Sequence, residues 1–261
     1  ENFKEAELLD FVEKTESDKI TSGVFAPWCF WVDEFKAMNG HDWLYRPQSK
    51  EDSSIFNRFQ LKFGKNCFKQ TWKGFVYHLT CRGSRFNPNL TKVGQNSPEW
   101  EEHNIKSHRN FIRMWGSLVK HDEFLCPIVP HKYNIGVVLK HPTHHLIYTL
   151  EPWCDKLDLV GEPAKVKILK DNYIKQEQPN TKVDLDYKIN CEKISKLPDI
   201  IIEVDGNRFT QEDMFYISNL SEILTDSGEV GEMKIGNIYL NIARLEHYEN
   251  NLIMAKNEKI E

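Results

Sequence analysis

DIIIEVDGNRFTQ, residues 199–211, carries a strong strand-and-turn signal. Its three isoleucines are typical of a buried strand, and the VDGN that follows is typical of a tight hairpin turn. The segment therefore predicts two antiparallel strands joined at Gly206. Other strand-like segments lie at 134–141, 144–150, 233–240 and 251–256, so the sequence predicts a mostly β protein with a few helices.

The 261-residue chain has the composition of a globular protein, with 40% hydrophobic and 28% charged residues. Its net charge of -5 comes from interspersed acids and bases, and no basic block indicates nucleic-acid binding. No apolar run approaches the length of a membrane span, and the first twenty residues lack the profile of a signal peptide. The six cysteines are widely spaced without a CxxC pair, which argues against a structural zinc site.

Two segments have the spacing of amphipathic helices. Residues 2–14 place apolar side chains on one face, which predicts a short helix within residues 1–20. Residues 108–124 do the same and form the best candidate for a central helix. Between them, residues 59–64 and 73–81 alternate apolar and polar positions on either side of a turn, which predicts a second hairpin.

Three histidines, His141, His144 and His145, lie in the segment HPTHH. Neutral imidazole is a good ligand for zinc or copper, so a metal site is one interpretation. Adjacent residues of an extended chain point to opposite faces, however, and the sequence has no HExxH motif, so we favour a surface cluster. Residues 203–206, EVDG, and 226–228, DSG, offer carboxylates, but Asp and Gly are expected at turns on backbone grounds alone.

The C-terminal third is similar to the end of a pepsin-type aspartic peptidase. Three segments carry the likeness in the order of that family and close to its spacing: NCEKISKLPDIIIEVDGNRFTQEDMFYI at 190–217, TDSGEVGEMKIGNIYL at 225–240 and HYENNLIMAK at 247–256. In the N-terminal half, YRPQSKEDSSIF at 45–56 and NIGVVLKH at 134–141 resemble further segments of the family.

The resemblance implies a shortened, two-lobed pepsin-like fold with an added N-terminal helix. The helix would occupy residues 1–20, the N-terminal lobe 21–140 and the C-terminal lobe 141–261. In that family each lobe supplies one catalytic Asp from a D-T/S-G-T/S loop. Both groups must be carboxylates because the close pair shares one proton.

VFAPWCFWV, residues 24–32, stands at the position of the first catalytic loop. The flap tyrosine of the family corresponds to Phe63, and the second loop would lie near Asp155 or Asp171, neither of which belongs to a DTG or DSG sequence. Valine at the first position cannot hold a proton or polarise water. Aligned on its final WV, the segment replaces the Asp-Thr-Gly-Ser of the family with Val24, Phe25, Ala26 and Pro27.

The resemblance therefore implies a catalytically inactive homologue that binds a protein or peptide, or acts as a scaffold, without a cofactor or metal. Binding would use the degenerate cleft or an outer surface, and a second copy of the chain is a further expected partner. The residues expected along the cleft, besides those of the degenerate loop, are Trp28, Trp31, Trp153, Asp155 and Asp171.

Two alternatives make the protein an enzyme. One is a non-standard acid endopeptidase that uses Asp155 or Asp171, and the other is a metal-dependent hydrolase that uses His141 and His144. The resemblance favours the secretory pathway or the extracellular space. An intracellular compartment stays open, because Cys191 matches a family disulfide position while its usual partner is missing.

Overall fold

The computed structural model describes residues 3–24, 27–77, 96–191 and 198–258. These residues form a mixed α/β protein, so the expected mostly β fold is wrong. The helices are α1 (Glu5–Thr15), α2 (Val32–Ala37), α3 (Glu51–Phe63), α4 (Pro98–Trp115), α5 (His144–Leu150), α6 (Pro163–Glu177), α7 (Leu185–Lys188), α8 (Gln211–Ser218), α9 (Leu220–Ser227) and α10 (Asn250–Glu258). The strands are β1 (Ile20–Thr21), β2 (Gln70–Thr71), β3 (Ile135–Lys140), β4 (Lys156–Val160), β5 (Ile189–Asn190), β6 (Ile200–Asp205), β7 (Gly231–Ile235) and β8 (Ile238–Ile242).

Six of the strands form one sheet in the order β5-β4-β3-β6-β8-β7. Strands β3, β4, β5 and β6 run parallel, and Val137 of β3 lies between Leu157 of β4 and Ile202 of β6. Strands β7 and β8 form an antiparallel hairpin, and β8 pairs antiparallel with β6. Parallel neighbours need a crossover connection, which α5 supplies between β3 and β4 and α6 between β4 and β5.

Burial on both faces explains the apolar composition of the central strands. Val137 and Leu139 of β3 and Ile200 of β6 are fully buried, and they pack in one core with Ile147 of α5 and Leu224 of α9. Parallel strands covered by helices read as near-continuous apolar runs, as these do. Burying each such side chain stabilises the fold by about 1.5–3 kcal/mol.

The hairpin expected at residues 199–211 is wrong. Strand β6 pairs with β3 and β8, and the chain beyond Gly206 turns into helix α8. Thr210 caps that helix, because its hydroxyl accepts from the N–H of Asp213 (3.3 Å) while the Asp213 carboxylate accepts from the N–H of Thr210 (2.8 Å). This reciprocal capping box starts a helix where the turn signal alone predicts a second strand.

The second expected hairpin, at 59–81, is wrong over its first arm, which belongs to helix α3. Ile55, Phe59 and Phe63 recur there at helical spacing. Phe63, assigned to the flap, is the last residue of this helix and is 42% exposed. Residues 78–81 lie outside the described residues.

The expected two-lobed pepsin-like fold is wrong as well, because a single sheet contains strands from both sides of the assumed boundary. The division between residues 140 and 141 falls at the carboxyl end of β3, which pairs with both β4 and β6. The N-terminal helix is present as α1. The central helix begins earlier than expected and ends where Gly116 adopts a φ of 68°.

Candidate functional site

Three loops meet at the carboxyl edge of the parallel strands. They follow β3, β4 and β6, and begin at His141, Gly161 and Gly206. The N–H of His141 donates to the carbonyl oxygen of Val160 (3.3 Å), and the N–H of Gly206 donates to that of Lys140 (2.8 Å). Strands β4 and β6 lie on opposite sides of β3, so the strand order reverses direction here. In doubly wound sheets, ligands bind outside the carboxyl ends of the strands at such a reversal.

A histidine and an aspartate from two of these loops are in contact at this edge. The Nδ1 of His141 lies 2.9 Å from Oδ1 of Asp205, and the His141 side chain is 62% exposed. The N–H of Asn207 donates to the same Asp205 oxygen (3.0 Å). The hydrogen bond from His141, followed by that from Asn207, holds the pKa of Asp205 below its ordinary value. A carboxylate that engages one ring nitrogen orients the imidazole and leaves its other nitrogen for a ligand.

Glycine is required at position 206 because the loops approach each other closely. A Cβ atom there would lie 2.5 Å from the carbonyl oxygen of His141 and 2.7 Å from Cδ1 of Leu146. Backbone atoms cannot yield at such distances without moving the loop. Gly206 therefore allows the His141–Asp205 contact to form.

The loop after β3 lacks the features of a phosphate-binding loop. It contains no glycine, and Oγ1 of Thr143 accepts from the N–H of Leu146 (3.2 Å), so the chain itself caps the first turn of α5. Pyrophosphate sites of doubly wound folds use a Gly-rich turn whose N–H groups face the ligand. The carboxyl edge thus suits a ligand without pyrophosphate.

An acidic residue follows the neighbouring strand. Glu162 comes directly after Gly161 at the end of β4 and precedes the first residue of α6. Its carboxylate is mostly exposed and pairs with Lys165 one turn later (2.6 Å). An exposed ion pair of this spacing stabilises a helix by only about 0.2–0.5 kcal/mol, so a ligand can compete with Lys165 for the carboxylate.

The structure separates the histidines of the HPTHH segment. The ring of His144 faces Tyr173 of α6, with 5.9 Å between ring centroids, and its Nε2 is buried without a hydrogen-bond partner. His145 is exposed on α5, whereas His141 contacts Asp205. Among the residues that the structure describes, no group of three or more His, Cys, Asp or Glu side chains could hold a metal ion.

The degenerate-loop positions lie in the N-terminal part, away from the six-stranded sheet in sequence. Val24 is buried, and its N–H donates to the carbonyl oxygen of Phe124 (3.2 Å). Pro27 is exposed. The other two positions, Phe25 and Ala26, lie outside the described residues.

The two tryptophans that follow have different environments. Trp28 packs against Phe30 and Phe56, with ring centroids 4.7 Å and 5.3 Å away, whereas Trp31 is 78% exposed. Trp28 thus helps to fill a small aromatic core around α3.

The remaining cleft candidates belong to other elements. Trp153 and Asp155 line a small cavity near the amino end of β4, where Asp155 accepts from the hydroxyl of Tyr248 (3.3 Å) and lies 3.9 Å from Nζ of Lys132. Asp171 is exposed on α6. The interlobe cleft to which the sequence assigned these positions has no counterpart in this fold.

A buried carboxylate lies at the amino edge of the same parallel strands. Glu151, which precedes β4, is fully buried and accepts from Arg113 (2.6 Å), Lys188 (2.7 Å) and the hydroxyl of Tyr173 (2.8 Å). Burial alone would raise the pKa of Glu151, but Lys188 and Arg113 outweigh burial and hold that pKa far below its ordinary value.

A second ion pair continues this cluster. Nε of Arg109 donates to Glu177 (2.9 Å), and the guanidinium of Arg109 lies over the ring of Tyr148, 3.6 Å from its centroid. These contacts fasten α4 to α5 and α6. The cluster has five charged groups, all buried and paired with one another, so we assign it a role in stability. They are Arg109, Arg113, Glu151, Glu177 and Lys188.

Searches against protein-family models, curated proteins and solved structures find no match for this chain. They neither support nor refute a relationship to aspartic peptidases, although the fold that such a relationship implies is wrong. Within the described ranges, no helix is long and apolar enough to cross a membrane. The described cysteines are Cys29, Cys67, Cys126, Cys154 and Cys191, and of these Cys29, Cys67, Cys126 and Cys154 are free thiols.

Proposed function

We propose that the protein binds a ribose-containing small molecule of the nucleoside type at the carboxyl edge of its parallel strands. The observation that carries the proposal is the contact of His141 with Asp205 at the reversal of strand order. The order β5-β4-β3-β6 also matches four neighbouring strands, 3-2-1-4, of a doubly wound dinucleotide-binding sheet. That likeness is an analogy between folds, so the roles of residues rest on the contacts at the edge.

Glu162 is the residue proposed to bind the ribose hydroxyls. In doubly wound folds, an acidic residue about twenty positions after the first loop accepts hydrogen bonds from the ribose. Glu162 stands in that place, at the end of the strand beside β3, and among the described residues an exposed lysine, Lys165, is its ion-pair partner. A hydrogen bond to a charged group makes a net stabilising contribution of about 1.5–3 kcal/mol, which sets the scale expected for a ribose hydroxyl on Glu162.

His141 is the residue proposed to contact the polar part of the base. Asp205 fixes one nitrogen of its ring, so the other can donate or accept at a defined position. The absence of a Gly-rich turn favours a nucleoside over a dinucleotide. The proposal thus replaces the protein or peptide binding expected from the sequence, which no finding tests, with a small-molecule site at the edge of a sheet.

The test is a calorimetric titration with adenosine, guanosine and uridine, each beside its 2′,3′-dideoxy counterpart. We expect at least one ribonucleoside to bind, and its dideoxy form to bind at least about tenfold more weakly, which corresponds to 1.4 kcal/mol. In Glu162→Gln that discrimination should largely disappear, and Asp205→Asn should weaken both forms.

The matched control is Asp171→Asn, which removes an exposed carboxylate from the same helix, α6, that Glu162 precedes. Asp171→Asn should bind the ribonucleoside and its dideoxy form with the same affinities as the unchanged protein. The proposal is overturned if no ribonucleoside binds, or if Glu162→Gln discriminates between ribose and dideoxyribose as well as the unchanged protein.

A further inference from the structure

Two imidazole rings from distant parts of the chain lie against each other at the amino edge of the sheet. His131 precedes β3 and His247 follows β8, and their ring centroids are 3.9 Å apart with the planes tilted by 50°. The backbone holds them there. Tyr133 and His247 form an antiparallel bridge, and the N–H of Tyr248 donates to the carbonyl oxygen of Lys132 (2.7 Å).

The hydrogen bonds determine which ring nitrogens are open to a ligand. Nδ1 of His247 lies 3.2 Å from the carbonyl oxygen of Tyr248. A carbonyl only accepts, so Nδ1 carries a proton, and in the neutral ring the lone pair is then on Nε2. Histidines that bind metals usually donate their second nitrogen to a carbonyl or carboxylate in this way.

The ring of His131 is open to a ligand. Within the described part of the chain, neither of its ring nitrogens makes a hydrogen bond, while its own carbonyl oxygen accepts from Ser221. Neutral imidazole is the form that binds a metal ion, so in the neutral ring the nitrogen with the lone pair is available to one.

We propose that His131 and His247 together chelate a first-row divalent transition ion such as Zn²⁺ or Ni²⁺. Two imidazoles on one ion, with metal–nitrogen distances of about 2.0–2.1 Å, place their ring centroids about 5 Å apart. The rings need to open by only about 1 Å from their present contact. In the ranges that the structure covers, no third His, Cys, Asp or Glu completes the set, so water fills the remaining positions.

Such an ion would fasten the C-terminal segment to the sheet. His247 leads directly into α10, whose Ile253 packs in a small core with Phe111 and Trp115 of α4. A ligand that binds only the folded form stabilises it in proportion to the logarithm of its concentration. We therefore expect the metal to raise the melting temperature of the protein.

The test uses the full chain after treatment with a chelator and its removal, titrated calorimetrically with ZnCl₂ and separately with NiCl₂. We expect a site of about one ion per chain that His131→Gln and His247→Gln each weaken at least about tenfold. The matched control is His121→Gln, an exposed histidine whose ring contacts only the backbone oxygen of Asp122 among the described residues. It should leave the site unchanged.

The proposal is overturned if His131→Gln binds Zn²⁺ as tightly as the unchanged protein, or if His121→Gln loses the same site. A second measurement needs no variant at the site. Substoichiometric Ni²⁺ should broaden the imidazole proton resonances of His131 and His247 before those of the other histidines. Broadening that begins at His141 or His145 would place the ion elsewhere and contradict the proposal.

Discussion

The two edges of the same parallel strands use their charged residues in different ways. At the amino edge, Glu151 is fully buried and contacts Arg113, Lys188 and Tyr173. At the carboxyl edge, the His141 side chain is 62% exposed and that of Asp205 35%, and Asp205 accepts one further hydrogen bond, from the N–H of Asn207.

This difference separates stability from binding. A buried charge costs free energy unless partners surround it, so the amino-edge groups are committed to one another. Exposed pairs contribute little to stability, and a ligand can therefore rearrange them at small cost. The comparison assigns the buried cluster around Glu151 to holding α4, α5 and α6 together, and it supports the ligand site that we propose at the carboxyl edge.

The largest expected effect follows from breaking the buried cluster. Glu151→Gln keeps the shape of the side chain but removes the carboxylate that pairs with buried Lys188, and it leaves buried Arg113 with Glu177 alone. We expect the free energy of unfolding to fall by about 3–5 kcal/mol. Urea denaturation followed by circular dichroism measures it.

The matched control for this change is Glu203→Gln. Glu203 pairs with Lys140 at 2.7 Å, but both side chains are about half exposed. We expect Glu203→Gln to lower the free energy of unfolding by about 0–1 kcal/mol. Equal losses for the two variants would show that the two edges do not differ as we describe.

A smaller effect is expected from closing the space between the carboxyl-edge loops. In Gly206→Ala the new Cβ meets the carbonyl oxygen of His141 at 2.5 Å, so the loops must separate. We expect a destabilisation of about 1–3 kcal/mol, measured by urea denaturation. Gly74→Ala is the control, since a Cβ there meets none of the described residues within 4 Å. Two equally stable variants would contradict the close approach.

The sequence predicts the positions of several strands better than their partners. The segment at 134–141 contains β3, as expected, whereas the segment at 233–240, expected as a single strand, holds parts of two strands, β7 and β8, that form a hairpin. The segments at 144–150 and 251–256 are helical instead, because short apolar runs do not distinguish a strand from a buried helix. The Thr143 cap before α5 is a local signal that favours the helix.

The parallel pairing could not be read from local sequence. Lys140 of β3 pairs in register with Asp205 of β6, sixty-five positions along the chain, and the contact of His141 with Asp205 spans sixty-four positions. The sequence does mark both HPTHH and EVDG as chemically notable, but nothing within either segment indicates that they meet. Their meeting depends on the order of strands in the sheet, which is a property of the whole core.

The smallest expected effect concerns pH and the histidine pair at the amino edge. The pKa of His131 is lowered in the folded protein from 6.5, by burial and then by His247. The unfolded chain therefore binds more protons than the folded protein in this range. Stability should be fully present above about pH 6.5 and should fall as the pH drops below that value.

Burial, and then Lys50, also lower the pKa of His108. A pH titration of the unchanged protein alone therefore does not separate the contribution of His131 from that of His108. The measurement compares urea midpoints between pH 8 and pH 5.5, with a chelator present, in the unchanged protein and in His131→Gln. In His131→Gln the urea midpoint should fall less between pH 8 and pH 5.5 than in the unchanged protein. In His121→Gln, at an exposed site, it should fall as much as in the unchanged protein. An undiminished decline in His131→Gln would mean that the two rings at the amino edge titrate independently of folding, and that the pH sensitivity belongs to His108 on α4.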